Sequence, residues 1–373
     1  MRPSSIRSLS ADDVALWKEI HDAAAGRASP FLHPAYVRTV SSVRNEVEVA
    51  LVRKGGETVG FLPYERTRLG IGRSVGSRLC DVSGAIVRSG IEWDAAEVAR
   101  GAGLRALVLS NVISTESSMA GAASFAPFVR AAKSAPIIDL AGGFERYRRE
   151  RNANTSMLRQ AKRKTNKLGR EVGRVRFEWH TADPRAFEAL LAWKMRQREM
   201  TRTPNILRFR WSVELLERIR RTRDDGFDGV MSVLYAGDQV AWVHLGMRAG
   251  TLLHYWVTAY NPDLSSYSPG VVGMLHLVRG AAENGVERID LGAGKERYKD
   301  RLSTGVIELA DAVVAPGAAA EAVTRALYGV RAWSRESSAG GWLREARRAA
   351  LRASYALLGT FDDGQGSAED RLL

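Results

Sequence analysis

Residues 232–277 read S-V-L-Y-A-G-D-Q-V-A-W-V-H-L-G-M-R-A-G-T-L-L-H-Y-W-V-T-A-Y-N-P-D-L-S-S-Y-S-P-G-V-V-G-M-L-H-L, and residues 290–302 read D-L-G-A-G-K-E-R-Y-K-D-R-L. Two apolar runs, 230–235 and 240–247, flank Gly237-Asp238, which is a hairpin signal. A third run, 251–260, follows a turn at Arg248-Ala249-Gly250. A polar loop over 261–267 then leads into an apolar helix that opens at Ser268-Pro269-Gly270, with Ser at the N-cap and Pro at the first helical position. Gly270 and Gly273 leave backbone N–H groups near its start open to approach. A helix N-terminus fed by a strand in this way is suited to holding phosphate. A short strand over 289–291 closes an α/β unit.

Composition bounds the rest. At 373 residues the chain is long enough for two domains and a sizeable core. Its 45% hydrophobic and 26% charged residues are those of a soluble globular protein. No run approaches the roughly 18 apolar residues of a membrane helix. The start carries charge without an apolar core, so no signal peptide is expected. The single cysteine, Cys80, excludes an internal disulfide and leaves too few ligands for a cysteine metal site. The expected compartment is the reducing cytoplasm, and no metal is expected. The formal net charge of +13 is local: residues 146–176 hold twelve Lys/Arg against Glu150 and Glu171, and the rest of the chain balances 43 basic residues against 40 acidic ones.

Upstream, a helix is expected over 11–24, capped at Ser10-Ala11-Asp12-Asp13, with a short helical piece over 35–43. Strands over 47–53 and 58–63 surround a Gly55-Gly56 turn. A Gly/Arg/Ser loop covers 70–78, and a strand covers 83–87. Helix 93–103 and strands 106–112 and 135–140 complete the first half. L-V-R-K-G-G-E-T-V-G-F-L-P resembles V-L-Y-A-G-D-Q-V-A-W-V-H, a faint internal repeat that agrees with two copies of one unit. The second copy would begin with the basic helix, continue through helices 184–202 and 212–223, and end with strand 306–314. Two Arg-rich helices, 318–334 and 342–358, and a polar disordered tail follow. Packing on the body, a dimer contact or peripheral attachment to an anionic membrane surface would each use such helices.

Y-S-P-G, G-V-E-R-I-D-L-G-A-G-K-E-R-Y-K and W-K-M-R-Q (193–197) together resemble the CelD-like acyltransferase family, named after a cellulose-biosynthesis protein. That family belongs to the GNAT superfamily and is related to Fem-type peptidyltransferases. The likeness is strongest over 193–305 and looser through S-P-F-L-H-P-A-Y and C-D-V-S-G-A-I-V. It does not cover the last fifty-odd residues. It implies a mixed α/β fold of tandem GNAT-like domains: 1–145, then 146–316 holding the active site, then a helical extension over 317–373. It also implies a cradle for the acyl-CoA pyrophosphate at Tyr267, Ser268, Pro269, Gly270, Val271 and Gly273. Here the pattern is Ser-x-Gly-x-x-Gly, where most GNAT enzymes have Arg/Gln-x-x-Gly-x-Gly/Ala.

Acyl transfer from a thioester to an amine needs a base, an acid and a polarised carbonyl. The resemblance assigns Asp290 to orienting the nucleophile or acting as base. It gives Tyr298 the protonation of the departing thiolate, and Lys299 a contact to phosphate or to the acceptor. Gly292 lies in the same motif. Trp193, Lys194 and Gln197 border the acceptor pocket. The hairpin yields a geometric expectation. If 248–250 is a three-residue loop, His244 faces His254 and Trp242 faces Trp256, which sets two imidazoles and two indoles on one face as a proton-handling patch. If the loop is Ala249-Gly250 alone, His244 faces Tyr255 and the patch dissolves. The basic run offers phosphate contacts with little aromatic interleaving. The resulting expectation is an N-acyltransferase, in the simplest case an acetyltransferase. It would carry an acyl group from acyl-CoA to an amine such as an amino sugar or an envelope or polysaccharide precursor, without a metal. The alternatives are a Fem-type aminoacyl-tRNA-dependent transferase and a non-catalytic nucleic-acid or partner-binding protein.

Overall fold

In a computed structural model of the chain, the structure describes residues 4–24, 28–113, 123–201, 205–294, 297–315 and 317. The helices expected over 318–334 and 342–358, the tail after them, and Lys295 and Glu296 lie outside the described residues. The first elements in chain order are β1 (Ser4–Ser5), α1 (Ala11–Asp22), α2 (Pro34–Ser41), β2 (Val47–Lys54), β3 (Glu57–Arg66) and β4 (Ile71–Arg73). They continue with β5 (Ile86–Val87), α3 (Ala95–Gly101), β6 (Ala106–Ile113) and β7 (Val129–Asp139). Then come α4 (Gly143–Asn154), α5 (Met157–Glu171), β8 (Val175–Glu178), α6 (Pro184–Met200), α7 (Arg210–Arg221) and β9 (Arg223–Asp224). The last are β10 (Phe227–Ala236), β11 (Gln239–Ala249), β12 (Leu252–Tyr260), α8 (Pro269–Glu283), β13 (Arg288–Asp290), α9 (Arg297–Leu302) and β14 (Gly305–Val314).

Two compact units result, and neither is a single stretch of chain. One comprises Met1–Ala24, Tyr36–Lys133 and Glu308–Leu373; the other comprises Ala25–Ala35 and Ser134–Ile307. Each repeats the same connection. In the first, β2, β3 and β4 pair antiparallel in succession, α3 follows, and β6 returns parallel to β4. In the second, β10, β11 and β12 pair antiparallel, α8 follows, and β13 returns parallel to β12. The hairpins agree in detail. In each, a two-residue turn, Gly55-Gly56 or Gly237-Asp238, is followed by two paired positions and then a register shift, after Arg53↔Thr58 and after Tyr235↔Val240. A bulge at matched positions is a designed feature of a strand pair, so the faint sequence repeat reflects a repeated piece of structure. Within the first unit β6 takes residues 309–314 of β14 as its antiparallel neighbour, and within the second β13 takes 137–139 of β7.

Local chemistry explains the helix starts. Ser10 and Asp13 form a reciprocal capping box on α1. The basic segment, expected as one helix, breaks into α4 and α5 at Thr155, whose extended backbone ends α4 and whose Oγ1 accepts from the Met157 amide at 3.2 Å. Met157, Leu158, Ala161 and Leu168 give α5 a buried apolar stripe, and α4, α5 and α8 share one core with Trp242, Leu253, Tyr255 and Ile289. The opposite face of β10–β12 packs under α6 and α7 through Val243, Leu245, Val257 and Ala259. Among the described residues no helix is long and apolar enough to cross a membrane.

Gly273 sits where α8 crosses β11. A Cβ there would fall 2.2 Å from Trp242 Cδ2, inside the van der Waals envelope of a fully buried indole. Gly273→Ala should therefore cost about 1–3 kcal/mol by overpacking. A urea midpoint unchanged from the parent would show that this crossing is not tight.

Candidate active site

β12 and β13 pair at Leu252↔Arg288, Leu253↔Ile289 and His254↔Asp290, and β13 ends there while β12 runs on to Tyr260. The cause lies in the next two residues. Leu291 donates its amide to Pro136 O, and Gly292 turns at φ +68°, a left-handed backbone that a side chain resists. The Gly292 amide then folds back onto Asp290 Oδ1 at 2.8 Å. The pairing of the two parallel strands ends at this point.

Where the pairing ends, His254 Nδ1 stands 3.2 Å from Asp290 Oδ2, and both side chains are buried. Burial alone would raise the Asp290 pKa, but His254, the Gly292 amide and Lys299 outweigh it and hold the carboxyl below its ordinary range. Asp290 is thus ionised at neutral pH. A carboxylate held this acidic orients a neighbour better than it abstracts a proton, and the neighbour is His254. Lys299, on α9, is buried. Tyr298 is half-buried against the α8 core. Phe31 meets the ring of His254 edge-on at 4.9 Å and that of Trp256 at 5.8 Å.

The four-residue aromatic and histidine patch does not form. The turn falls one residue later than expected: Ala249 pairs with Leu252, so Gly250-Thr251 is the loop, with Gly250 left-handed at φ +56°. A bulge follows, because between Met247↔His254 and Leu245↔Val257 one residue, Gly246, opposes two, Tyr255 and Trp256. A Cβ on Gly246 would come within 2.6 Å of His244 Cε1 and of His254 O. His244 therefore pairs with Thr258, and Trp242 with Tyr260. His244 lies between Trp242 (5.9 Å, 7°) and Tyr255 (4.8 Å, 9°), on the α8 side, while His254 and Trp256 share the other face with Phe31. Neither ring nitrogen of His244 has a hydrogen-bond partner, and burial, with a smaller push from His254, lowers its pKa to about 3.

Ser268 takes the N-cap place of α8 in a left-handed conformation (φ 53°, ψ 54°), and its side chain makes no capping bond. Pro269 has no N–H, and the Val271 and Val272 amides both close on Ser268 O. Beside this turn lies a cavity of about 360 Å³, lined on one side by Ser268, Val271 and Val272. Its opposite wall is α5, which presents Met157, Gln160, Ala161, Arg163, Lys164, Lys167 and Arg170. Lys164 Nζ bonds Ser266 O at 2.5 Å, and Lys167 Nζ lies 5.4 Å over the Tyr267 ring. Tyr267 Oη donates to Glu171 Oε2 at 3.0 Å, which fastens α5 to the start of α8 and raises the phenol's pKa. Gly270 is next to Tyr260, and a Cβ there would meet nothing closer than 3.6 Å. Of the residues expected to form the cradle, Ser268 and Val271 line the cavity, Tyr267 braces it, and Gly273 lies beneath Trp242.

On α6, Lys194 Nζ donates to Thr258 O at 3.2 Å, on the part of β12 beyond its pairing with β13. Trp193 packs half-buried against the core below α6, and Gln197 is exposed. Sequence reasoning missed α5 as a wall of the cavity, although the spacing of 163, 167 and 170 (i, i+4, i+7) already sets three cations on one helix face. It also missed Phe31.

Residues 155–300 match the family described as acetyltransferase (GNAT) domain, so the chain carries a GNAT acyltransferase domain, a class that uses acyl-CoA. That segment takes in the cavity, β12 and β13 and reaches into α9, and it lies wholly within the second unit. No curated protein matches the sequence. Among solved structures, the fold is similar to FemX (10% identity, TM-score 0.56, covering 83% of this chain and 98% of that one). It is also similar to the C-terminal domain of a putative lysylphosphatidylglycerol synthetase from Agrobacterium fabrum (14%, TM-score 0.51, covering 84% and 96%). A third is L-PGS from Bacillus licheniformis (10%, TM-score 0.50, covering 85% and 96%). At these identities the likeness is one of fold, and it extends over both units.

The lowered pKa of His244 carries a stability consequence. The unfolded chain protonates this residue below about pH 6.5, whereas the folded chain does so only near 3. The unfolded state thus binds the extra proton between those values, and stability falls as pH drops through that window. His244→Phe should flatten the decline of the urea midpoint between pH 6.5 and 4. An identical decline in parent and variant would show that His244 is not the buried titrating group.

Proposed function

We propose that the second unit is an N-acyltransferase that carries an acyl group, in the simplest case acetyl, from acyl-CoA to an amine. The observation that carries this reading is the cavity at the start of α8, which has four cations and no carboxylate among its lining residues. It lies at the helix that follows β12, whose pairing with β13 ends at His254, and in GNAT proteins a gap between two such strands takes the acyl arm. The amine nitrogen attacks the thioester carbonyl, a C–N bond forms and the C–S bond breaks. His254, oriented by Asp290, takes the proton from nitrogen. Tyr298 gives one to the thiolate, and Lys299 holds charge beside Asp290. Trp193, Lys194, Gln197 and Trp256 face the acceptor, an amino sugar or another envelope or polysaccharide precursor in the manner of the CelD-like family.

A Fem-type reading, with aminoacyl-tRNA as donor, is supported by the fold likeness to FemX and by the same cations. Titration calorimetry separates the two. Acetyl-CoA should bind, and Lys164→Glu/Lys167→Glu should weaken it by about tenfold or more, since charge-assisted bonds contribute roughly 1.5–3 kcal/mol each. Binding of charged tRNA with no heat from any CoA thioester would replace the first reading by the second. In a thiol-release assay with amine acceptors, Asp290→Asn should lower kcat by about a hundredfold or more. Normal turnover by that variant would remove the His254–Asp290 pair from the chemistry.

A further inference from the structure

Four cations line the cavity, but they are not equivalent. Lys164 is committed to Ser266 O, and Lys167 to Glu171 (3.7 Å) and the face of Tyr267. Both therefore sit at the start of α8. Arg163 and Arg170 line the same cavity and have no hydrogen-bond or ion-pair partner among the described residues. They are seven residues apart, so they share one face of α5 about 10 Å from each other along its axis. A diphosphate seated by the two lysines would leave this pair unused. Arginine's planar fork suits a terminal phosphate, whose oxygens it can take two at a time.

We infer that Arg163 and Arg170 bind a second anionic group of the donor, a phosphomonoester set apart from the diphosphate, which in CoA is the ribose 3′-phosphate. The inference rests on the acyl-CoA reading above and narrows it. The donor is then a thioester borne on a 3′-phosphorylated nucleotide, and thioesters that lack this phosphate are poor donors. At neutral pH a phosphomonoester carries close to two negative charges, enough to neutralise both guanidinium groups. The cavity thereby gains a partner for each of its cations.

The test is a two-by-two calorimetric comparison of acetyl-CoA and acetyl-3′-dephospho-CoA on the parent chain and on Arg163→Ala/Arg170→Ala. Both arginines are exposed, so the double variant should fold as the parent does, and a thermal melt checks this. The parent should bind acetyl-CoA about tenfold or more tightly than the dephospho ester at low salt, and the gap should shrink as ionic strength rises. In the variant the two esters should bind alike, at the parent's affinity for the dephospho ester. Equal affinities on the parent would overturn the inference and leave the acyl-CoA reading standing. A gap that survives in the variant would overturn the assignment to these two arginines. Failure of both esters to bind the parent would remove the acyl-CoA reading itself, and the inference with it.

Discussion

The site is organised by the end of the β12–β13 pairing at His254 and Asp290. Parallel strands stay paired while both continue, so this end needs one of them to stop abruptly. Asp290 and Gly292 provide that end: a left-handed glycine turns the chain, and its amide is caught by the carboxylate two residues earlier. The same carboxylate holds His254 across the last paired position. Buried acids are costly unless every lone pair finds a donor or a cation, and Asp290 has the amide, the imidazole and Lys299 around it. One side chain thus ends a strand and orients the group placed at that end.

The first unit shows what the same topology does without this arrangement. Its last parallel pair is Arg73↔Val108, so a valine stands where the second unit has Asp290. The carboxylate is instead Glu65, directly opposite Arg73 on β3, fully buried and held by Arg73 and Arg44 at 3.1 Å each and by the Gly76 amide at 2.8 Å. Beyond the pair, β6 stays tied, through the Ser110 amide to Ser74 Oγ and a bridge between Ser83 and Val112. The charges here are consumed by the framework. A buried triad of this kind is a weak source of stability. The two units thus share one topology but place their buried carboxylates differently, Glu65 on β3 in the first and Asp290 at the end of β13 in the second.

Much of the fold was legible because its signals are local. Gly237-Asp238 and Gly55-Gly56 marked their hairpins, Ser10 with Asp13 marked the start of α1, and Ser268-Pro269 marked α8. The β14–β6 pairing was not legible, since β14 finds β6 some two hundred residues away and no turn residue encodes such a meeting. The register of β11 on β12 failed for a narrower reason. Period-two alternation assigns faces only once the loop length is known, and here the turn slipped by one residue while Gly246 absorbed a bulge. The role of α5 was hidden differently: a stripe of cations reads the same whether it faces solvent or a cavity, and only the packing of α5 against α8 distinguishes them.

The two histidines of the hairpin make the point in chemical terms. They are ten residues apart on adjacent strands, both fully buried, and a three-residue loop at 248–250 would have set them on one face. With Ala249 paired to Leu252 instead, His254 pairs with Met247, three residues from His244 on β11, and the two face opposite ways. His244 enters a stack of flat rings with no polar partner, where the charged form is strongly disfavoured and the ring behaves as an aromatic filler. His254 meets a carboxylate, which stabilises the charge an imidazole acquires on taking a proton. Residue type alone made both candidates for proton transfer. Geometry leaves one of them able to bear the charge that such a role requires, and the two-residue turn at Gly250-Thr251 decides which.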